Sequence, residues 1–142
     1  MTNFASTPIA IWKDEYLTGN AQIDREHQTL FEMFNALHVE LHTTARHDVL
    51  KSMLIDINSH TVEHFQNEEA LMQSHDYPGY DRHKHVHDNL LKKVSKLIMQ
   101  FERQADFIPN DHLTEFLHEW LAHHIRGEDR NMIYYFRSMV AA

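Results

Sequence analysis

Cysteine is absent from this 142-residue chain, and glycine and proline occur only three times each. Without cysteine there can be no disulfide, no thiolate metal site and no cysteine nucleophile. β-Sandwiches and barrels need many turns, so the scarcity of glycine and proline favours long helices. No apolar run approaches the roughly 18 residues that a membrane-spanning helix needs, and no signal-peptide pattern is visible. We therefore expect a cytoplasmic protein that does not interact with a membrane.

Positive charge is also scarce. The formal net charge is −8, with no basic block along the chain, which argues against nucleic acid as a partner. Histidine is the exception, because 14 histidines stand against 13 lysines and arginines together. The length suits one domain with a substantial core, so we expect a single domain over residues 1–142.

Apolar residues recur at helical spacing in four runs. The first follows an arm, residues 1–19, and begins at Asn20, a plausible N-cap. Thr43-Thr44 could cap the second run, Tyr77-Pro78-Gly79 is a turn signal before the third, and Pro109-Asn110-Asp111 offers a cap for the fourth. Four helices of about 20–30 residues with short connections predict an all-α, up-down-up-down four-helix bundle over residues 20–142.

The stretch HKHVH, residues 83–87, lies on the third predicted helix. On a helix, His83 and His87 sit one turn apart on the same face, while His85 points roughly the opposite way. His64 and Glu68 have the same spacing on the second helix and also share a face.

The fourth helix carries His124 and Asp129, which are five residues apart. On an ideal α-helix this spacing separates two side chains by about 140°, so the pair would not share a face cleanly. A local widening or bend near Gly127 would be needed to bring them together. The first helix offers His27, three residues before the apolar Leu30.

Other polar groups fit a metal or catalytic site less well. His38 and His42 lie about three turns beyond His27, too far to share its metal. HEWLAH, residues 118–123, misses the zinc-protease signature because position 122 is alanine. We expect most surplus histidines to lie on the surface, with His60 a possible support for a ligand: His38, His42, His47, His60, His75, His85, His112, His118 and His123.

Four stretches together resemble the hemerythrins, and bacteriohemerythrins most closely: WKDEYLTGNAQIDREHQTLF (12–31), HFQNEEALM (64–72), YPGYDRHKHVH (77–87) and WLAHHIRGED (120–129). The resemblance covers nearly the whole chain in order. It implies two non-haem iron ions joined by a bridging oxide or hydroxide. Only the family register selects Glu68 over Glu69, His64 over His60 and His124 over His123. The implied ligands are His83, His87 and His124 for one iron, His27 and His64 for the other, and Glu68 and Asp129 as bridges.

With that ligand set, all but one position of two octahedral irons would be filled, and the open position would lie on the iron with two histidines. Hemerythrins bind dioxygen, and no second position would remain for an organic substrate. We therefore expect reversible dioxygen binding for storage, delivery or scavenging, and no enzymatic activity. An apolar wall around the oxygen site would exclude water. The side chains expected to form it are Leu30, Phe65, Leu121 and Ile125.

Three other functions are open at this stage. A sensor of oxygen or redox state could use the same site, although no output domain is recognisable in the chain. A ferritin-like iron oxidase needs two Glu-x-x-His motifs, and the chain supplies only Glu115-x-x-His118. A purely structural bundle would have no reason to direct seven polar groups into one core.

Overall fold

The computed structural model describes the backbone of residues 8–141 and the side chains of residues 8–140. Residues 1–7 of the predicted arm lie outside this range. The described part contains no strand, and none of its helices is long and apolar enough to cross a membrane. The helices are α1 (Ala21–His42), α2 (His47–Ser74), α3 (Tyr80–Arg103), α4 (Leu113–His124) and α5 (Arg130–Ala141), with a π-helical turn (Ile125–Asp129) joining the last two.

These elements form the predicted all-α four-helix bundle. The segment from α4 through the π turn to α5 is continuous and makes the fourth long helix. Helix α2 packs against α1 and α3, and α1 also packs against α4. The connections between the long helices are short, so successive helices run in opposite directions.

The apolar core is divided into two clusters. The larger cluster includes Leu30 and Phe34 of α1, and the smaller one joins Ile23 of α1 to Met72 and Met132. Along α1, His27 lies between Ile23 and Leu30, and the other helices repeat this order. A layer of polar side chains therefore separates the two apolar clusters inside the bundle.

One predicted cap is confirmed. The Asn20 side chain accepts a hydrogen bond of 3.0 Å from the Ile23 N–H at the start of α1. This bond satisfies one of the free N–H groups of the first turn.

The other two predicted caps are wrong. Helix α2 begins after Arg46 without a side-chain cap, because Thr43 and Thr44 complete the end of α1 instead. Ala45 has a positive φ of 47° and its N–H donates to the Glu40 carbonyl. Helix α4 begins after its N-cap residue, His112. Asn110 accepts a hydrogen bond from the His112 N–H and lies two residues before the N-cap position.

The described part of the arm packs against the bundle. A short 3-10 helix, Asp14–Tyr16, buries Tyr16. The Ala10 N–H donates to the Asn35 side chain at 2.7 Å, and the Asn35 amide donates back to the Ala10 carbonyl at 2.9 Å. The Arg126 guanidinium donates to the Tyr16 hydroxyl at 3.2 Å, so the arm also contacts the π turn.

Candidate metal centre

Seven polar side chains meet in the layer between the two apolar clusters. None is more than 2% exposed, although each carries a charge or a strong hydrogen-bonding group. Helices α1, α2, α3 and α4 and the π turn all contribute. They are the seven side chains implied by the resemblance: His27, His64, Glu68, His83, His87, His124 and Asp129.

The seven side chains form two overlapping groups. In each group, one nitrogen or oxygen atom per residue lies within 4.8 Å of the corresponding atoms of the others. Glu68 and Asp129 belong to both groups. The first group adds His83, His87 and His124 to this pair, and the second adds His27 and His64.

Each shared carboxylate directs one oxygen toward each group. Oε2 of Glu68 lies 2.8 Å from Nε2 of His64, and Oε1 lies 3.2 Å from Nε2 of His87. Oδ2 of Asp129 lies 3.0 Å from Nε2 of His27, and Oδ1 lies 3.1 Å from Nε2 of His124. This is the arrangement that two bridging carboxylates between a pair of cations require.

The π turn brings Asp129 into the cluster. A π-helix repeats its hydrogen bonds at i→i+5, so residues five apart align on one face. His124 and Asp129 have this spacing, and Ile125–Asp129 is π-helical. The predicted widening near Gly127 is confirmed. A Cβ at Gly127 would meet open space, so the turn does not depend on the missing side chain.

The buried charges stabilise one another. Burial lowers the pKa of His64, but the Glu68 carboxylate and the hydrogen bond to Glu26 outweigh it and raise the pKa to about 10. Burial likewise lowers the pKa of His124, and attraction to Asp129 raises it to about 10. Burial raises the pKa of Glu68, yet the neighbouring histidines hold it well below its ordinary value. Without a cation, His64 and His124 therefore retain their protons to a higher pH than a free histidine does.

Several buried atoms of the cluster lack a hydrogen-bond partner in the described part of the chain. They include both carboxylate oxygens of Glu68 and of Asp129, and Nε2 of His27 and His64. These atoms lie close to one another, but the angles between them are not those of hydrogen bonds. Their lone pairs instead point to common positions inside each group. Buried polar atoms normally find partners, and a cation at each point would satisfy these. Imidazole and carboxylate ligands without thiolate suit iron and similar divalent metals, so the residues fit a metal pair.

Two carboxylates outside the cluster hold its histidines. Oε1 of Glu26 accepts a hydrogen bond from Nδ1 of His64 at 2.7 Å, and Oε2 of Glu69 accepts one from Nδ1 of His87 at 2.8 Å. Sequence reasoning missed both contacts. The available signal was adjacency, because Glu26 precedes His27 and Glu69 follows Glu68, which turns each acid toward the neighbouring helix.

The suggestion that His60 supports a ligand is wrong. His60 is exposed on α2, one turn from His64, and Glu26 rather than His60 bonds to the His64 ring. The other surplus histidines also lie outside the buried cluster. His85 and His123 are exposed, as expected.

An apolar cavity lies one helical turn from the cluster. Leu30 lines it three residues after His27, and Leu121 lines it three residues before His124. Phe65 also lines it and stacks on the His87 ring at a centroid distance of 3.7 Å. The volume open to the centre of a water-sized sphere is about 10 Å³. This is room for about one molecule of the size of water.

Ile125, the fourth residue of the expected apolar wall, is buried but lines a different depression. Its neighbours there include Thr18 and Arg130. Three of the four expected side chains therefore meet at one cavity, and Trp120 joins them, stacked on the His124 ring at 4.7 Å.

A four-helix bundle that buries two overlapping groups of histidines and carboxylates defines a helical metal-binding protein. The sequence profile described as "Hemerythrin HHE cation binding domain" matches residues 18–135. This match covers most of the chain, and the chain belongs to the hemerythrin family.

Individual relatives agree with this assignment. The chain is 33% identical over 122 residues to the bacteriohemerythrin of Stenotrophomonas maltophilia, covering 86% of this chain and 78% of the relative. It is 33% identical over 119 residues to hemerythrin subunit 1 of Golfingia vulgaris, covering 84% and 86%. A wild-type hemerythrin crystal structure superposes with a TM-score of 0.74 at 29% identity, covering 84% and 92%. A hemerythrin point mutant reaches a TM-score of 0.81 at 27% identity, covering 87% and 94%.

Proposed function

We propose that this chain holds two non-haem iron ions, joined by a bridging oxide or hydroxide, and binds dioxygen reversibly. The observation that carries the proposal is the sharing of Glu68 and Asp129 between the two ligand groups. A single mononuclear site would need only one of these groups. Membership of the hemerythrin family also supports a pair of metal ions in this site.

The ligand residues have separate roles in this proposal. His83, His87 and His124 would hold one iron, and His27 and His64 the other. Glu68 and Asp129 would be shared by both irons, because each carboxylate directs one of its two oxygens toward each ligand group. When bound, the iron pair would supply the electrons that dioxygen takes up.

The difference in histidine number would leave the open position beside His27 and His64. The surrounding side chains would keep that position dry. Leu30 and Leu121 narrow the adjacent cavity, and both are only 2% exposed. Exclusion of water would slow irreversible loss of the bound oxygen.

A ferritin-like oxidase fits the structure less well. That class uses four inward carboxylates, whereas the cluster in the described residues contains only Glu68 and Asp129. Glu115 is exposed and pairs with His112 at the surface. We therefore propose a binding protein with no catalytic turnover. A cytoplasmic location stays a prediction from the sequence.

The test is a cycle of oxygenation followed in the visible spectrum. The iron-loaded protein is reduced without air, exposed to oxygen and then purged with argon. We expect charge-transfer bands to appear with oxygen, at one dioxygen per two irons, and to disappear on purging. Irreversible oxidation in the first cycle, or repeated turnover of added ferrous iron, would overturn the proposal in favour of redox sensing or oxidase chemistry.

A further inference from the structure

Among the residues that the structure describes, a carboxylate outside the cluster bonds to only two of the five cluster histidines. His64 donates from Nδ1 to Glu26, and His87 donates from Nδ1 to Glu69. The outward-facing Nδ1 atoms of His27, His83 and His124 are buried and have no hydrogen-bond partner in the described part of the chain. One histidine of each ligand group is therefore held by an acid, and the others are held by packing.

We infer that Glu26 and Glu69 are positioning residues that orient His64 and His87 toward the cluster and strengthen them as metal ligands. This inference rests on the proposed function. An acceptor at Nδ1 requires that nitrogen to carry the proton, which leaves the lone pair of Nε2 facing the cluster. A hydrogen-bonded carboxylate also raises the basicity of the imidazole and so strengthens its bond to a metal.

Glu26 is the better fixed of the two acids. Its Oε2 accepts hydrogen bonds from the Asn67 amide at 2.7 Å and from the Gln22 amide at 3.3 Å, while Oε1 faces His64. The contacts join one turn of α1 to the turn of α2 that carries His64 and Glu68. Asn67 thus acts on the cluster only through Glu26, which makes it an independent probe of the same effect.

Both acids cross to a neighbouring helix. Glu26 of α1 supports His64 of α2, and Glu69 of α2 supports His87 of α3. The side chains of Glu26 and Glu69 are 22% and 15% exposed, respectively. The two acids therefore connect the buried ligands to the protein surface, one at the α1–α2 interface and the other at the α2–α3 interface.

The test separates orientation from charge with two substitutions at one position. Glu26→Ala removes the acceptor, and Glu26→Gln keeps an acceptor oxygen for Nδ1 but removes the negative charge. Iron affinity is measured on each full-length protein by anaerobic competition with a chelator, and the reduction potential by spectroelectrochemistry. Glu63→Ala is the matched control, because Glu63 precedes His64 on α2 and is exposed.

We expect Glu26→Ala to weaken iron binding roughly 10–100-fold, the range typical for partners of metal ligands. Glu26→Gln should recover most of the affinity but raise the reduction potential, because a neutral acceptor stabilises the ferric state less. Asn67→Ala should weaken binding by a smaller factor, and Glu69→Ala should resemble Glu26→Ala. The Glu63→Ala protein should match the unsubstituted chain in both measurements.

Equal affinities and potentials for Glu26→Ala and Glu63→Ala would overturn the inference. Thermal unfolding of the metal-free proteins shows whether each variant folds. If Glu26→Ala fails to fold, the reduction potential of Glu26→Gln and the iron affinity of Asn67→Ala replace it as the test. Both quantities unchanged from the unsubstituted chain would then overturn the inference. An unsubstituted chain that binds fewer than two irons would instead contradict the proposed function, so the two failures are distinguishable.

Discussion

Nε2 of His27 lies 3.0 Å from Oδ2 of Asp129, and neither side chain is exposed to solvent. His27 belongs to the first helix of the bundle and Asp129 to the last, so the contact exists only when the bundle is closed. A metal pair held here would bind the folded state far better than the unfolded one. Binding of metal and stability of the fold should therefore be linked.

The first prediction concerns iron content. His83→Ala and His124→Ala should each lower the iron content below two per chain, because each removes a nitrogen from the three-histidine group. His85→Ala and His118→Ala should leave it unchanged, since both side chains lie outside the cluster. Iron is measured colorimetrically after gel filtration. Equal losses from the two sets of variants would refute the ligand assignment.

The second prediction concerns the pH dependence of the metal-free protein. Burial lowers the pKa of His64 and His124, but the buried acids outweigh it and raise both from 6.5 to about 10. A histidine whose pKa is raised by folding stabilises the fold fully at a pH below the pKa that it has in the unfolded chain. This stabilisation is lost as the pH rises toward 10. The pKa of Glu68 is lowered from 4.5, so its contribution is present above that value and is lost in acid.

The melting temperature of the metal-free protein should therefore be highest between about pH 4.5 and pH 6.5 and should fall toward pH 10. Iron binding should show the opposite trend in that range, because metal must displace the histidine protons. Calorimetry without metal and chelator competition with iron measure the two effects. A melting temperature that stays constant from pH 6.5 to pH 10 would show that folding does not raise the pKa values of His64 and His124.

The third prediction concerns Leu121, which lines the cavity one turn from His124. Leu121→Ala should enlarge the cavity, admit water and shorten the lifetime of the oxygenated protein while iron content is retained. Leu37→Ala is the control, since Leu37 is also buried in the apolar core, at 1% exposure against 2% for Leu121. Each substitution should lower the free energy of unfolding by about 2–5 kcal/mol.

Decay of the oxygenated absorption bands measures the lifetime in both variants. Only Leu121→Ala should accelerate it. The same lifetime in both proteins would place Leu121 among ordinary core residues.

The fourth prediction concerns the arm. Oδ1 of Asp24 accepts from the Thr18 N–H and hydroxyl at 2.8 Å each, and Oδ2 accepts from the Gly19 N–H at 3.2 Å. Asp24→Ala leaves these donors without their acceptor and should lower the free energy of unfolding by about 1–3 kcal/mol. It should also make Lys13 more sensitive to trypsin. Urea unfolding and timed digestion measure these effects.

Asp14→Ala serves as the control because the Asp14 side chain is exposed at the start of the 3-10 helix. It should alter neither the unfolding energy nor the digestion rate appreciably. If both variants behave alike, the hydrogen bonds of Asp24 do not anchor the arm.

The sequence alone determined the elements and their inward faces. Apolar periodicity predicts the four helices because it is a local property with a fixed repeat of 3.6 residues. The same geometry places His83 and His87 together and His85 outside. The spacing of His124 and Asp129 also predicted a local widening or bend near Gly127, since an ideal α-helix does not align residues five apart. Choosing Glu68 over its neighbour Glu69 needed the resemblance to a family as well.

Only the tertiary structure decided which groups meet across helices. Glu26 and Glu69 flank the ligands in the sequence, but their contacts with His64 and His87 depend on how adjacent helices are rotated and aligned. The exclusion of Ile125 from the apolar cavity has the same origin, because a cavity is defined by all four helices at once. The cap predicted for α2 was misplaced because the Thr44 hydroxyl donates to Glu40 on α1 instead. Local spacing specifies the face of a helix, and packing between helices selects the partner that the face meets.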